Sequence, residues 1–378
     1  MKRACLSLLV SALALVGVTA CGERPQPHTP ASPGAADFDG QTFEASVGRL
    51  RTETGARAVL AGLWVGDEAV KRIALGDSMT GVPADTDMTV RIGGISQLFL
   101  GTLLMRLVEQ GRLSLDDKVS KYLPDLFAAD KVTVGMLARN TAGYKDYVHD
   151  PTFVDLMLAD PFKQFTSQEI MDLGVKDGEL AFTPGTQQKY SHTEFTILCE
   201  VMERATGRSM ADLFHAEIFG PLGLTRTGYS SSPTLPDPVL HVFSSERGVY
   251  EDATFWNPSW AGGSGILYSS LDDLGTWGPV FGKGRLLRES SFRELTRRPD
   301  AALRSDLYFA TGFVVANGWF LQNPMINGYT GTMGYLSDLD LTLVVFASQP
   351  PTPKVEHPAF EIFKKLVLEL APSHPINF

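Results

Sequence analysis

Residues 91–123 read RIGGISQLFLGTLLMRLVEQGRLSLDDKVSKYL, and the rest of the chain is organised around this stretch. Leu98, Leu103, Leu104, Leu107 and Val108 recur at helical spacing and form a wide apolar face, which predicts a helix over 94–110. Outward from that helix, strand signals lie near both ends of the chain. Residues 57–65 and 71–75 read as two strands meeting at a Gly66-Asp67 turn, and strand patterns return at 307–317, 319–326 and 339–347. Helical faces flank them. Phe43, Val47 and Leu50 share one side of 41–56, and Phe360, Phe363, Val367 and Leu370 mark a closing helix over about 355–371. Between about 130 and 240 the chain is mostly helix and loop. Its best helix, 193–206, aligns Phe195, Leu198, Val201, Met202 and Ala205 and ends at Gly207. Strands at both ends with helices between them predict an α/β fold: one sheet assembled from the two termini, carrying a mostly helical inserted region over about 94–250.

The same stretch resembles the active-site helix of the serine β-lactamase, penicillin-binding protein and esterase family, in its class C-like branch. There an Arg-Ile-Gly-Ser-x-Ser-Lys run opens a helix that closes on Gly-(Lys/Arg)-Leu-Ser-Leu-Asp-Asp. Arg91, Ile92, Gly93, Ser96 and the run Gly111 to Asp117 match. The nucleophile position holds Gly94, and its lysine partner's position holds Gln97. The resemblance spans roughly residues 40 to 372 and implies a β-lactamase/transpeptidase-like fold, with an antiparallel sheet flanked by helices and a cleft beside the helical region.

Those two replacements remove the chemistry. An attacking hydroxyl needs a base within hydrogen-bond reach, and Ser-x-x-Lys provides both on one helical face. Glycine has nothing to attack with, and a glutamine amide does not titrate. Removing the nucleophile from a comparable serine site lowers turnover by about 10⁶. No serine in the chain has lysine three residues later, and Ser96 lies about 200° around the helix from position 94. No Gly-x-Ser-x-Gly occurs either, the nearest run being Gly262 to Gly265 with Ile266 after it.

Further motifs match the family in order. Residues 132–147, VTVGMLARNTAGYKDY, resemble its Leu-Leu-x-His-Thr-Ser-Gly-Leu segment, with Asn140 and Ala142 replacing the His and Ser. Pro184-Gly185 leading to Tyr190-Ser191-His192 resembles its Pro-Gly…Tyr-Ser-Asn motif. Gly220 to Leu224 resembles its Pro-Leu-Gly turn, and Ala261-Gly262-Gly263 its Ala-Gly-Gly run. The resemblance makes Tyr190 the retained polar site residue and puts His192 where asparagine orients substrate. It aligns Tyr329-Thr330-Gly331 with the His/Lys-x-Gly motif on a strand lining the cleft, with Tyr329 replacing the basic residue and Gly331 letting a ligand approach. Phe255, Trp256, Trp260 and Tyr268 line either a groove or the core.

At the amino terminus, Lys2 and Arg3 precede an apolar run from Leu6 to Val18 that is too short to span a bilayer, followed by Val18-Thr19-Ala20-Cys21. This resembles a lipoprotein signal over residues 1–20, with lipidation at Cys21. A Pro/Gly-rich tether over 21–40 then leads to a single domain over 41–372. Loss of the signal segment takes the formal charge from −10 to −12. That balance, and the lack of any Lys/Arg cluster, argues against nucleic acid. Cys5 falls in the signal and Cys21 carries lipid, leaving Cys199 with no intrachain partner. The histidines have no metal-ligand spacing, and neither a metal nor a cofactor is expected.

The expectation is a lipid-anchored protein on the extracytoplasmic face of a bacterial envelope, with a serine-hydrolase fold and an impaired site. It would bind a cell-wall peptide or an envelope protein. The alternatives are an active esterase, amidase, DD-peptidase or β-lactamase-like enzyme using Ser96, Ser191 or Ser264, and a structural protein with no ligand.

Overall fold

The computed structural model describes residues 34–377; the expected signal segment, Cys21 and most of the tether lie outside them. Ala35–Asp37 forms a short turn, and helix α1 (Gly40–Thr54) begins at once. Asp39 caps it by accepting from the Gln41 and Thr42 N–H groups, and Gly55 stops it in the left-handed conformation that glycine adopts without a Cβ penalty.

The strand signals resolve into β1 (Ala58–Val65), β2 (Glu68–Met79), β3 (Val82–Pro83), β4 (Leu307–Phe309), β5 (Val314–Ala316), β6 (Trp319–Gln322), β7 (Met325–Ile326), β8 (Tyr329–Leu336) and β9 (Leu341–Ser348). They form one antiparallel nine-stranded sheet in the order β3-β2-β1-β9-β8-β6-β5-β4, with β7 also on β8. The two chain ends meet at its centre, where Ala58 pairs with Ser348 and Val65 with Leu341.

Both central strands are buried along their whole length, so they read as apolar runs rather than alternating ones. From β1, Val59, Ala61 and Leu63 meet one layer, formed by α1 and the closing helix α6 (Pro358–Leu370). Ala58, Leu60 and Trp64 face the other layer, which holds helix α2 (Ser96–Glu109), helix α3 (His192–Thr206) and helix α4 (Leu271–Gly282).

Some expectations need correcting. The second strand runs well beyond 71–75 because its outer face is polar and exposed, which hides it from apolar pattern reading. The 307–317 segment is a hairpin, with β4 pairing β5 across a turn at 310–313. The 319–326 strand breaks at Asn323-Pro324, since proline donates nothing to a ladder. The sheet resumes only at Leu307, so the region between its halves runs past the expected 250 and takes in α4 and helix α5 (Glu289–Thr296). Among the described residues no helix is long and apolar enough to cross a membrane.

Candidate functional site

Gly94 lies in a short 3-10 turn, Gly93–Ile95, that feeds directly into α2. It borders a cleft of about 450 Å³ between that turn, Tyr190 and His192 at the start of α3, Trp260 to Gly265, and the broken strand from Gln322 to Ile326. The backbone at Gly94 is not left-handed, and a Cβ built there meets only ordinary contacts: Gln97 Nε2 at 3.6 Å, Gln322 Oε1 at 3.7 Å and Pro324 Cβ at 3.7 Å. There is room for a side chain, and the sequence supplies none.

Gln97, one turn on, is fully buried and its amide is fully used. Nε2 donates to the Tyr190 hydroxyl at 2.5 Å and to the Ser264 carbonyl at 3.2 Å, while Oε1 accepts from Gln322 Nε2 at 2.8 Å. Gln322 donates also to the Gly312 carbonyl. The expected lysine position is therefore a neutral hydrogen-bonded bridge across the floor of the cleft. The Tyr190 ring is partly exposed but its hydroxyl end lies inward, and burial there pushes the phenol upward, outweighing the Gln97 hydrogen bond. With no cation beside it, this tyrosine stays protonated and is no base.

His192 also lines the cleft. Its Nδ1 lies 3.0 Å from Asp146, and its ring meets Tyr190 edge-on at 4.8 Å. Burial would raise the Asp146 carboxyl, but the hydrogen bond and charge of His192 carry it below its ordinary range. Asp146 carries no catalytic motif, and only the folded chain reveals it as the partner of His192. His357 closes the opposite side: Nδ1 accepts from the Phe360 N–H and Nε2 donates to the Asn323 carbonyl. Burial holds its pKa down, so it stays a neutral imidazole.

Two expected residues are elsewhere. Tyr329 does not line the cleft: it sits on β8, one strand inward, paired with both Ile326 and Ser348, and its buried hydroxyl donates to the Leu240 carbonyl at 2.8 Å. Gly331 gives room to the Phe346 ring, which a Cβ would meet at 2.6 Å, rather than to a ligand. The strand facing Gly94 is β6, ending at Gln322, followed by Pro324. No motif pointed to Gln322, which lay inside the expected 319–326 strand; the proline at 324 was the usable signal for a strand end there. Of the four grouped aromatics, Trp260 lines the cleft, Trp256 is core, Phe255 packs on His241, and Tyr268 lies against Gly228.

The alternative serines are committed or isolated. Ser96 Oγ accepts from the Leu267 N–H, and Ser264 Oγ donates to the Ala261 carbonyl. Ser191 Oγ is buried with no partner at all, a base included. Among the described residues no three His, Cys, Asp or Glu side chains gather as a metal site.

Glu194 lies in the first turn of α3, two residues after His192. Its buried carboxyl accepts from the N–H groups of Ala142, Gly143 and Tyr144. Burial nevertheless raises its pKa well above the ordinary 4.5. A raised folded pKa means that this stabilisation is full below about pH 4.5 and is lost as pH rises toward the folded value. Glu194→Gln cannot titrate, so its melting temperature relative to wild type should climb as pH rises above about 4.5. A melting-temperature difference that stays constant as pH rises would contradict the assignment.

The model of the Beta-lactamase family matches residues 43–365. The chain is 27% identical over 289 residues to the D-alanyl-D-alanine-carboxypeptidase/endopeptidase AmpH of Escherichia coli (strain K12), covering 73% of this chain and 69% of that protein. It is 28% identical over 324 residues to penicillin-binding protein 4 of Amycolatopsis lactamdurans, covering 80% and 79%. Among solved structures, a D-stereospecific amidohydrolase from Streptomyces sp. superposes with a TM-score of 0.78 at 23% identity, covering 89% of this chain and 99% of that one. At that identity the superposition speaks for the fold alone.

Proposed function

This chain belongs to the beta-lactamase family, and we propose that it is a member that binds ligands in the family cleft without forming an acyl-enzyme. One observation carries this reading: the nucleophile position is a bare glycine, and the base position is an amide whose every polar atom is already bonded to Tyr190, Ser264 or Gln322. The protein is anchored through lipid on Cys21 at the extracytoplasmic face of a bacterial envelope, spaced from the membrane by its Pro/Gly-rich tether. This part of the reading is supported by the amino-terminal sequence alone.

The cleft's chemistry narrows the ligand. Its lining includes no Lys, Arg, Asp or Glu, and offers Trp260, Tyr190 and Phe309 beside the amides of Gln322 and Asn323. A charge buried here would find no countercharge, so the ligand is an uncharged acyl-amide segment, such as the interior of a cell-wall peptide.

Two measurements test this. Intact mass after incubation with a fluorescent penicillin, and with an activated fluorophosphonate, should equal that of the untreated protein. A stoichiometric adduct on Ser96, Ser191, Ser264 or any other residue overturns the reading. Trp260 fluorescence should report binding of N-acetyl-alanyl-alaninamide at least about tenfold tighter than binding of its free acid. Equal affinities would remove the neutral-ligand assignment.

A further inference from the structure

A second cavity, larger than the family cleft, opens elsewhere on the fold. A groove of about 650 Å³ lies between the C-terminal half of α2, the segment from Ser114 to Asp116, the short helix Val134–Ala138, α5 and residues 297–301. It shares no lining residue with the cleft and, unlike it, is rich in charge of both signs.

At its wall, two guanidinium groups share one carboxylate. Arg139 Nη2 donates to Glu294 Oε1 at 2.6 Å, and Arg297 Nε donates to both Glu294 oxygens at 3.1 Å. Arg139 is 93% buried, with Nε held by Thr311 Oγ1 at 3.3 Å. Among the described residues its Nη1 and both terminal nitrogens of Arg297 have no hydrogen-bond acceptor, and both arginines line the groove. Asp116 and Asp300 line the same groove; among the described residues neither makes a contact ion pair, and the Asp116 charge reaches Arg139 from across it. An arginine this deeply buried is costly unless its donors are used, and a guanidinium matches a carboxylate in planar geometry.

We propose that this groove is a second ligand site, for a small zwitterion such as a free amino acid or a dipeptide. The ligand's carboxylate takes the uncommitted donors of Arg139 and Arg297, and its ammonium group lies against Asp116 and Asp300. A singly charged ligand satisfies one set of groups and leaves the other as it is. The volume suits a dipeptide with its hydrating waters. No bond is made or broken, and the site is independent of whether the cleft is catalytically silent.

Isothermal titration of the full chain tests this with three ligands of nearly equal size. Glycylglycine carries both charges, N-acetylglycine lacks the ammonium, and glycylglycinamide lacks the carboxylate. Saturable binding of glycylglycine is expected, at least about tenfold weaker for either singly charged analogue. Arg297→Gln and Asp300→Asn, both at the groove's outer part, should each weaken the dipeptide by a similar factor. Gln322→Ala, in the cleft, should leave it unchanged. Absent heat with glycylglycine, or an analogue binding as tightly as the dipeptide, overturns the proposal. So does an unchanged affinity in Arg297→Gln, or a loss in Gln322→Ala.

Discussion

The double variant Gly94→Ser/Gln97→Lys should be covalently labelled by a fluorescent penicillin at a rate at least about 10³ above either single variant. The site is already shaped for it. A Cβ at position 94 meets nothing closer than 3.6 Å, so a serine there requires no backbone adjustment. A lysine at 97 enters a pocket that already holds two acceptors, the Tyr190 hydroxyl and the Ser264 carbonyl. The ammonium would also lower the Tyr190 phenol, which burial now pushes up. Recovery should be partial. Losing the nucleophile costs about 10⁶, which is the upper bound on what restoring it returns. Labelling is read by gel fluorescence and by peptide mapping to residue 94. Equal labelling of Gly94→Ser alone would mean that some other group serves as base. A double variant that melts like wild type yet stays unlabelled would mean that the cleft lost more than these two side chains.

Replacing Gly101 with valine should destabilise the fold by about 3 kcal/mol, at the upper end of overpacking costs. Gly101 lies midway along α2, where a Cβ would stand 2.2 Å from the Thr311 carbonyl oxygen. Across the contact Gly312 has φ +90, and a Cβ there would stand 2.4 Å from the Gln97 carbonyl oxygen. Helix and turn touch backbone to backbone, with no flexible side chain to give way. This contact sets the height of Gln97 over Gln322, so the same variant should loosen the bridge across the cleft floor. Gly48→Ala is the matched comparison. It lies in α1 with only Leu75 Cδ1 at 3.8 Å, so it should stabilise by about 0.5–1 kcal/mol through helix propensity. Urea midpoints at an unchanged m-value measure both. A Gly101→Val protein within about 0.5 kcal/mol of wild type would show that the helix can retreat freely from the turn.

The sequence alone determined what neighbouring residues encode. The helix behind Gly94, the helix stop at Gly207, the strands near both chain ends and the loss of serine and lysine are local statements, each set by side-chain type and spacing within a few residues. Family membership followed from the same runs in the same order. Which groups face the cleft was decided only by the tertiary structure, because strand pairing is a long-range property. A break at Asn323-Pro324 places Gln322 beside Gly94 and moves Tyr329 one strand inward. Asp146 reaches His192 across 46 positions, and Arg139 meets Glu294 across 155. No periodicity connects residues so far apart. Their meeting depends on how a whole sheet and its helices close, and the charged groove and the uncharged cleft arise there.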